Sequence, residues 1–128
     1  MKRFLYASLI LLICLTVKAQ TIPEGIAAEA NVPEAKYPRV LHDGRAVFSI
    51  YAPEARKVEI DCVGKKFPMT KDADGMWKVT TEPLVVGFHY YSIIIDGVSV
   101  ADPACDSFFG CGRMMSGIEI PESKEEEA

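Results

Sequence analysis

The sequence predicts an all-β domain folded as a sandwich of two antiparallel sheets, and three observations predict it. Short runs rich in Val, Ile, Phe and Tyr succeed one another from Tyr37 onward. Asp-Gly dipeptides stand between such runs at Asp43-Gly44, Asp74-Gly75 and Asp96-Gly97. That pair suits a tight hairpin, because both central positions of a type I′ turn need positive φ. Beyond the N-terminal apolar run, no stretch repeats its apolar positions with the period of an amphipathic helix.

The N-terminus reads as an export address. Lys2 and Arg3 form a positive start, Phe4 to Val17 is almost wholly apolar, and Val17-Lys18-Ala19 ends on the small residue a signal peptidase requires. The apolar run falls short of the ~20 residues that span a bilayer, which favours a cleaved signal peptide over residues 1–19. Cys14 follows Ile13 rather than a small residue, which argues against lipidation there. Removing 19 of the 128 residues leaves 109, enough for one domain. Loss of Lys2, Arg3 and Lys18 takes the formal charge from −4 to −7. So acidic a chain offers no basic face to nucleic acid and no basic stripe to an anionic membrane.

Residues 20–36 contain Pro23 and Pro33 and several alanines, and read as a leader segment. Strands are predicted at 37–41, 45–51, 57–62, 76–81, 89–95, 98–101 and 117–120. In the third, Val58, Ile60 and Cys62 face one way and Glu59 and Asp61 the other. Pro53, Pro68, Pro83 and Pro103 fall between runs, where a missing backbone donor is tolerated. Residues 102–116 are expected to form a long loop, and the acidic tail 122–128 to be solvated. The strand around 88–95 is apolar on both faces: Phe88, Tyr90, Ser92 and Ile94 on one, His89, Tyr91, Ile93 and Ile95 on the other. An antiparallel sheet with one side in water should be polar there. The second apolar face therefore points to cover by loops, to a docked domain or to a stacked sugar.

Catalytic machinery is not legible. The sequence contains no G-x-S-x-G nucleophile elbow. Of the two histidines, His42 borders a turn and His89 lies in a strand, where a structural role is expected. Asp102, Cys105, Asp106 and Cys111 share a loop, but their spacing departs from zinc-ligand pairs. Asp72-Ala73-Asp74-Gly75 lacks the spaced ligands of a calcium loop and reads as turn chemistry. No metal or cofactor is expected. Cys62, Cys105 and Cys111 would remain after signal cleavage, an odd number. Cys105 and Cys111 are the candidate disulfide, being close together in a glycine-containing loop of an exported protein. Trp77 is expected in the core. Phe108 and Phe109, with Met114 and Met115, are candidates for an exposed apolar patch.

A resemblance sharpens this reading. Val47-Phe48-Ser49-Ile50-Tyr51-Ala52-Pro53-Glu54-Ala55, then Met69 to Asp72 with Gly75-Met76-Trp77, then Gly87 to Ser92 with Asp96-Gly97 and Asp102-Pro103, resemble the early-set immunoglobulin-like domain grouped with family-48 carbohydrate-binding modules. The continuation Asp102 to Gly110, Gly112-Arg113 and Ser116 to Pro121 is similar to the N-terminal module of secreted family-1 carbohydrate esterases, the feruloyl and acetyl-xylan esterase type. The resemblance implies an immunoglobulin-like sandwich over 37–121. In such esterases the catalytic domain follows the segment matching Ile120-Pro121-Glu122, and its triad is not among these residues, so the resemblance implies no activity for the chain itself. Starch-binding relatives use two tryptophans and a lysine. At the matching places this chain has Val98 and Ser99, the segment Val63 to Phe67, and Ser92.

The expectation is a non-catalytic accessory module, exported to the periplasm or medium, that docks an esterase catalytic domain. The alternative is a free-standing module for hemicellulose-type plant polysaccharide. Phe88, Tyr90, Ile94, Phe108 and Phe109 are the candidate docking or sugar-stacking residues for either.

Overall fold

The computed structural model describes residues 24–123. The signal peptide expected at 1–19, the first residues of the leader and the end of the acidic tail lie outside them. In chain order the strands are β1 (Ile26–Ala27), β2 (Arg39–Val40), β3 (Arg45–Tyr51), β4 (Val58–Cys62), β5 (Lys65–Pro68), β6 (Thr70–Lys71), β7 (Met76–Pro83), β8 (Gly87–Ile95), β9 (Val98–Val100), β10 (Phe108–Gly110) and β11 (Arg113–Ile120). One sheet runs β1-β2-β3-β7-β6. The other runs β10-β11-β8-β4-β5, with β9 also paired to β8. Every pairing is antiparallel. Among the described residues no helix is long and apolar enough to cross a membrane.

The core fills the space between the sheets. Val58, Ile60 and Cys62 all point inward, as the alternation along β4 requires. Phe48 on β3 meets Tyr91 on β8 edge to face, ring centroids 4.9 Å apart, and so ties one sheet to the other. Trp77 is buried, and its indole Nε1 donates to the Ala52 carbonyl at 2.8 Å. Each such aromatic or branched side chain contributes about 1.5–3 kcal/mol on burial. Where β3 slips register between Arg45 and Val47, the Ala46 N–H donates to the buried Thr81 hydroxyl at 3.0 Å. The bulge thus leaves no buried donor unpaired.

Two expectations are corrected. Residues 102–116 are not one long loop: β10 and the start of β11 form a hairpin, Phe108 opposite Met115 and Phe109 opposite Met114. Of the three Asp-Gly pairs, only Asp96-Gly97 has both residues at positive φ. The other two such turns are Val63-Gly64 and Cys111-Gly112. Asp43 and Asp74 keep negative φ, and longer loops form around them. In one, the Asp72 carboxylate accepts from the N–H groups of Asp74 and Met76. The leader is also part of the fold. β1 pairs with β2, Asn31 bridges Cys105, and Ala28 is buried.

Candidate functional site

The candidate residues sit on the outer face of the second sheet, at the end where β8 meets β11 and β10. Alternation sends Tyr91 and Ile93 inward and leaves Phe88 and Tyr90 outside, 42% and 39% exposed. The strand opposite presents Gly117 to Tyr90 and Glu119 to Phe88. The next strand places Phe108 and Gly110 on the same face. Side chains are missing where the rings need room. Tyr90 covers Gly110, whose hypothetical Cβ would lie 2.6 Å from the ring Cζ, and the Phe88 ring covers Gly117. The three rings pack edge to face, Phe88 with Tyr90 at 5.1 Å and Phe88 with Phe108 at 5.2 Å. Such pairs are worth about 0.5–1.5 kcal/mol each beyond the area they bury.

The structure therefore groups Phe88, Tyr90 and Phe108 and separates the other two candidates from them. Ile94 lies farther along β8, half-buried opposite Glu59 and Ser99. Phe109 points to the other side of its hairpin, where it is 73% exposed beside its cross-strand partner Met114 at 54%. Sequence reasoning groups Phe109 with Phe108, although neighbours on a strand must face opposite ways.

Beside Phe88 and Phe108 lies an open groove of about 250 Å³, whose other walls are Glu29, Ala30, Asp106 and Glu119. The leader supplies one wall and is fixed there: the Asp106 N–H donates to the Ala30 carbonyl at 2.8 Å, and the Val32 N–H to that of Ala104 at 3.0 Å. Of these carboxylates the sequence singles out only Asp106, and only among loop residues whose spacing departs from zinc-ligand pairs. Glu119 is legible as the outward residue between Ile118 and Ile120, but nothing local marks Glu29, which is brought in by the long-range pairing of the leader.

Behind this face runs a buried polar cluster. The Tyr91 hydroxyl donates to Asp102 Oδ2 at 2.8 Å, Asp102 Oδ1 accepts from the Ala104 N–H at 2.9 Å, and the Asp102 N–H donates to Ser116 Oγ at 2.7 Å. Burial, reinforced by the Asp102 carboxylate, pushes the Tyr91 hydroxyl far above the ordinary phenol range, so it stays a donor. Cys105 Sγ faces the Gly117 carbonyl at 3.2 Å, and burial raises its pKa. In this structure the thiols of the candidate pair, Cys105 and Cys111, are not linked. Cys105 is turned into the sandwich, whereas Cys111 sits exposed at the tip of the β10–β11 hairpin, and Cys62, Cys105 and Cys111 are all free thiols.

His89 lies half-buried on β8, its Nε2 engaged with the Val85 carbonyl, and His42 is exposed. Of the four acids and thiols between 102 and 111, Asp102 and Cys105 are turned inward while Asp106 and Cys111 are exposed. Among the described residues no three His, Cys, Asp or Glu side chains converge on a point that could hold an ion.

No protein-family model matches the sequence. The chain is 42% identical over 95 residues to an endo-1,4-beta-xylanase/feruloyl esterase of Xylanibacter ruminicola, a match that covers 71% of this chain and 13% of that protein. The chain thus spans a small part of the length of the curated relative it matches. Among solved structures, the pullulanase SAP of Group B Streptococcus superposes with a TM-score of 0.50 at 15% identity, over 76% of this chain and 15% of that one. This second likeness concerns the fold alone. The first makes the chain similar to one segment of a carbohydrate-active protein.

Proposed function

We infer that this chain is a non-catalytic accessory module of an exported carbohydrate-active enzyme, and that it docks a catalytic domain of the esterase type. The sandwich is of the early-set immunoglobulin-like kind, with its body at 37–121, residues 1–19 serving as a cleaved signal peptide. One observation carries the docking role. Phe109 and Met114 form a cross-strand apolar pair on an edge hairpin, 73% and 54% exposed. Single exposed apolar residues are ordinary, but a paired aromatic and methionine on one projecting face matches the composition of interface centres. The similarity to part of a xylanase/feruloyl esterase supports this reading, because in that protein the matched segment is accompanied by much more chain. The module's work is to seat and orient its neighbour.

The test is the dye ANS, whose fluorescence rises on exposed apolar surface. The folded chain is expected to bind it, and the double substitution Phe109→Ser and Met114→Ser to remove most of the signal while leaving unfolding by urea cooperative. A folded chain that binds no ANS would count against docking through this hairpin.

A further inference from the structure

The leader is held to the body of the sandwich mainly by hydrogen bonds. Of its side chains from Ile26 to Ala35 only Ala28 is buried, Ala30 packs against the edge of the core, and Ile26 is 62% exposed. Burial stabilises in proportion to the apolar area removed from water, and alanine offers little. Hydrogen bonds act at three points instead. β1 pairs with β2, Ile26 opposite Val40 and Ala27 opposite Arg39. In the middle, Asn31 Nδ2 donates to the Pro38 carbonyl at 2.9 Å, which also takes the Ala28 N–H at 3.0 Å. At the far end the Ala30 carbonyl and the Val32 N–H bond to Asp106 and Ala104, and Asn31 bridges Cys105 between them. β1 and β10 are the last strands of their sheets. The leader therefore runs from the edge of the first sheet to the loop that precedes β10 and closes one flank of the sandwich.

One side chain holds the two ends of this segment together. The Arg39 guanidinium donates from Nε to the Glu24 carbonyl at 2.8 Å, from Nη2 to the Gly25 carbonyl at 2.6 Å and from Nη1 to the Lys36 carbonyl at 3.2 Å. A planar fork of donors serves three such acceptors at once, and a single ammonium does not match it. Bonds from a charged donor are also the stronger kind. Gly25 stands at a φ of 77°, and a Cβ there would lie 2.4 Å from the Val40 carbonyl oxygen, so the chain passes this point only without a side chain. We propose that residues 24–36 form a strap, clasped by Arg39, that opens as one unit while the rest of the two sheets stays folded. Segments with few buried apolar contacts open locally at a lower free energy than the ladders they cover. Opening frees Ala104, Cys105 and Asp106 together, and these residues lead into β10. The strap thereby governs how firmly the root of the β10–β11 hairpin is held. The proposal does not depend on docking through Phe109 and Met114.

Hydrogen exchange of the whole chain, read amide by amide in NMR spectra, tests it. In the native chain the Ala28, Val32 and Asp106 amides are expected to share one protection factor, smaller than that of the amides paired between β4 and β8. Arg39→Gln is expected to lower the protection of all three about tenfold, the effect of losing a charge-assisted bond, and to leave β4 and β8 unchanged. Arg39→Lys, which keeps the charge without the fork, is expected to behave in the same way. Gly25→Ala disturbs the start of the strap and keeps Arg39. It is expected to lower protection at Val32 and Asp106 as well, at the other end of the strap. Loss confined to the neighbours of Gly25 would show that the strap does not open as one unit and overturns the proposal. Native protection at Val32 and Asp106 in either Arg39 variant overturns the clasp. Equal loss in β4 and β8 makes Arg39 a stabiliser of the whole sandwich and overturns it too.

Discussion

Residues on this chain are sorted by which way a strand turns them, and the cysteines show the chemical consequence. Cys62 is buried on β4, and burial together with the neighbouring Asp61 raises its pKa to about 11. Cys105 is buried against Gly117, whereas Cys111 is exposed at a turn. The thiolate is the nucleophile, so reactivity follows exposure and thiolate fraction. Of these three, only Cys111 is expected to react quickly with iodoacetamide at pH 8 in the native state, and Cys62 and Cys105 only after unfolding. Mass spectrometry reads the outcome directly. If Cys105 and Cys111 both resist alkylation in denaturant without reductant, the disulfide exists and the inward orientation of Cys105 is wrong. The sequence suggests that disulfide because the two residues are close along the chain. It cannot show that a hairpin turn points one out while the other, bridged to Asn31, is turned inward.

At the scale of elements, the aromatic roof over β10 and β11 depends on two glycines. Phe88 and Tyr90 fold down because Gly117 and Gly110 offer no Cβ. Gly117→Ala is expected to displace the Phe88 ring and lower stability by about 1–3 kcal/mol, the usual range for overpacking. Phe88→Ala removes the obstacle, so the double substitution should cost less than the two single costs combined. Urea unfolding of the four proteins checks this, and additivity within about 0.5 kcal/mol would mean that ring and glycine do not touch. The strands are legible where alternation or an Asp-Gly pair marks them. β2, β3, β4, β7, β8 and β9 stand within two residues of their predicted bounds, marked either by an apolar pattern or by a neighbouring Asp-Gly pair. β1, β5, β6 and β10 are not legible in this way. β5 is Lys-Lys-Phe-Pro, a charged edge strand, and its turn places Val63 at positive φ. A β-branched residue rarely adopts that conformation, so no turn signal marks the position. The same holds for Cys111, which hides the hairpin carrying Phe108 and Phe109 on opposite faces.

For the whole molecule the two faces of that hairpin make one arrangement. Phe109 and Met114 would seat a catalytic domain on one side, while Phe88, Tyr90 and Phe108 pack on one another on the other. Interfaces between domains of one chain are usually modest and permit motion unless an apolar centre anchors them. Residues 24–123 placed in the xylanase/feruloyl esterase in exchange for its matching segment provide the decisive comparison. With Phe109 and Met114 present, module and catalytic part are expected to unfold together in calorimetry, because an interface that stabilises both folded states couples their transitions. With both changed to Ser, the single transition should separate into two, with the module melting at the temperature of the isolated chain. If the native exchange already melts in two independent steps, the hairpin pair anchors nothing and the module is joined to its neighbour by the chain alone. Coupled melting that survives the Ser changes would move the interface to another face, of which the exposed Val98 and Val100 strand is the next apolar stretch on the same sheet.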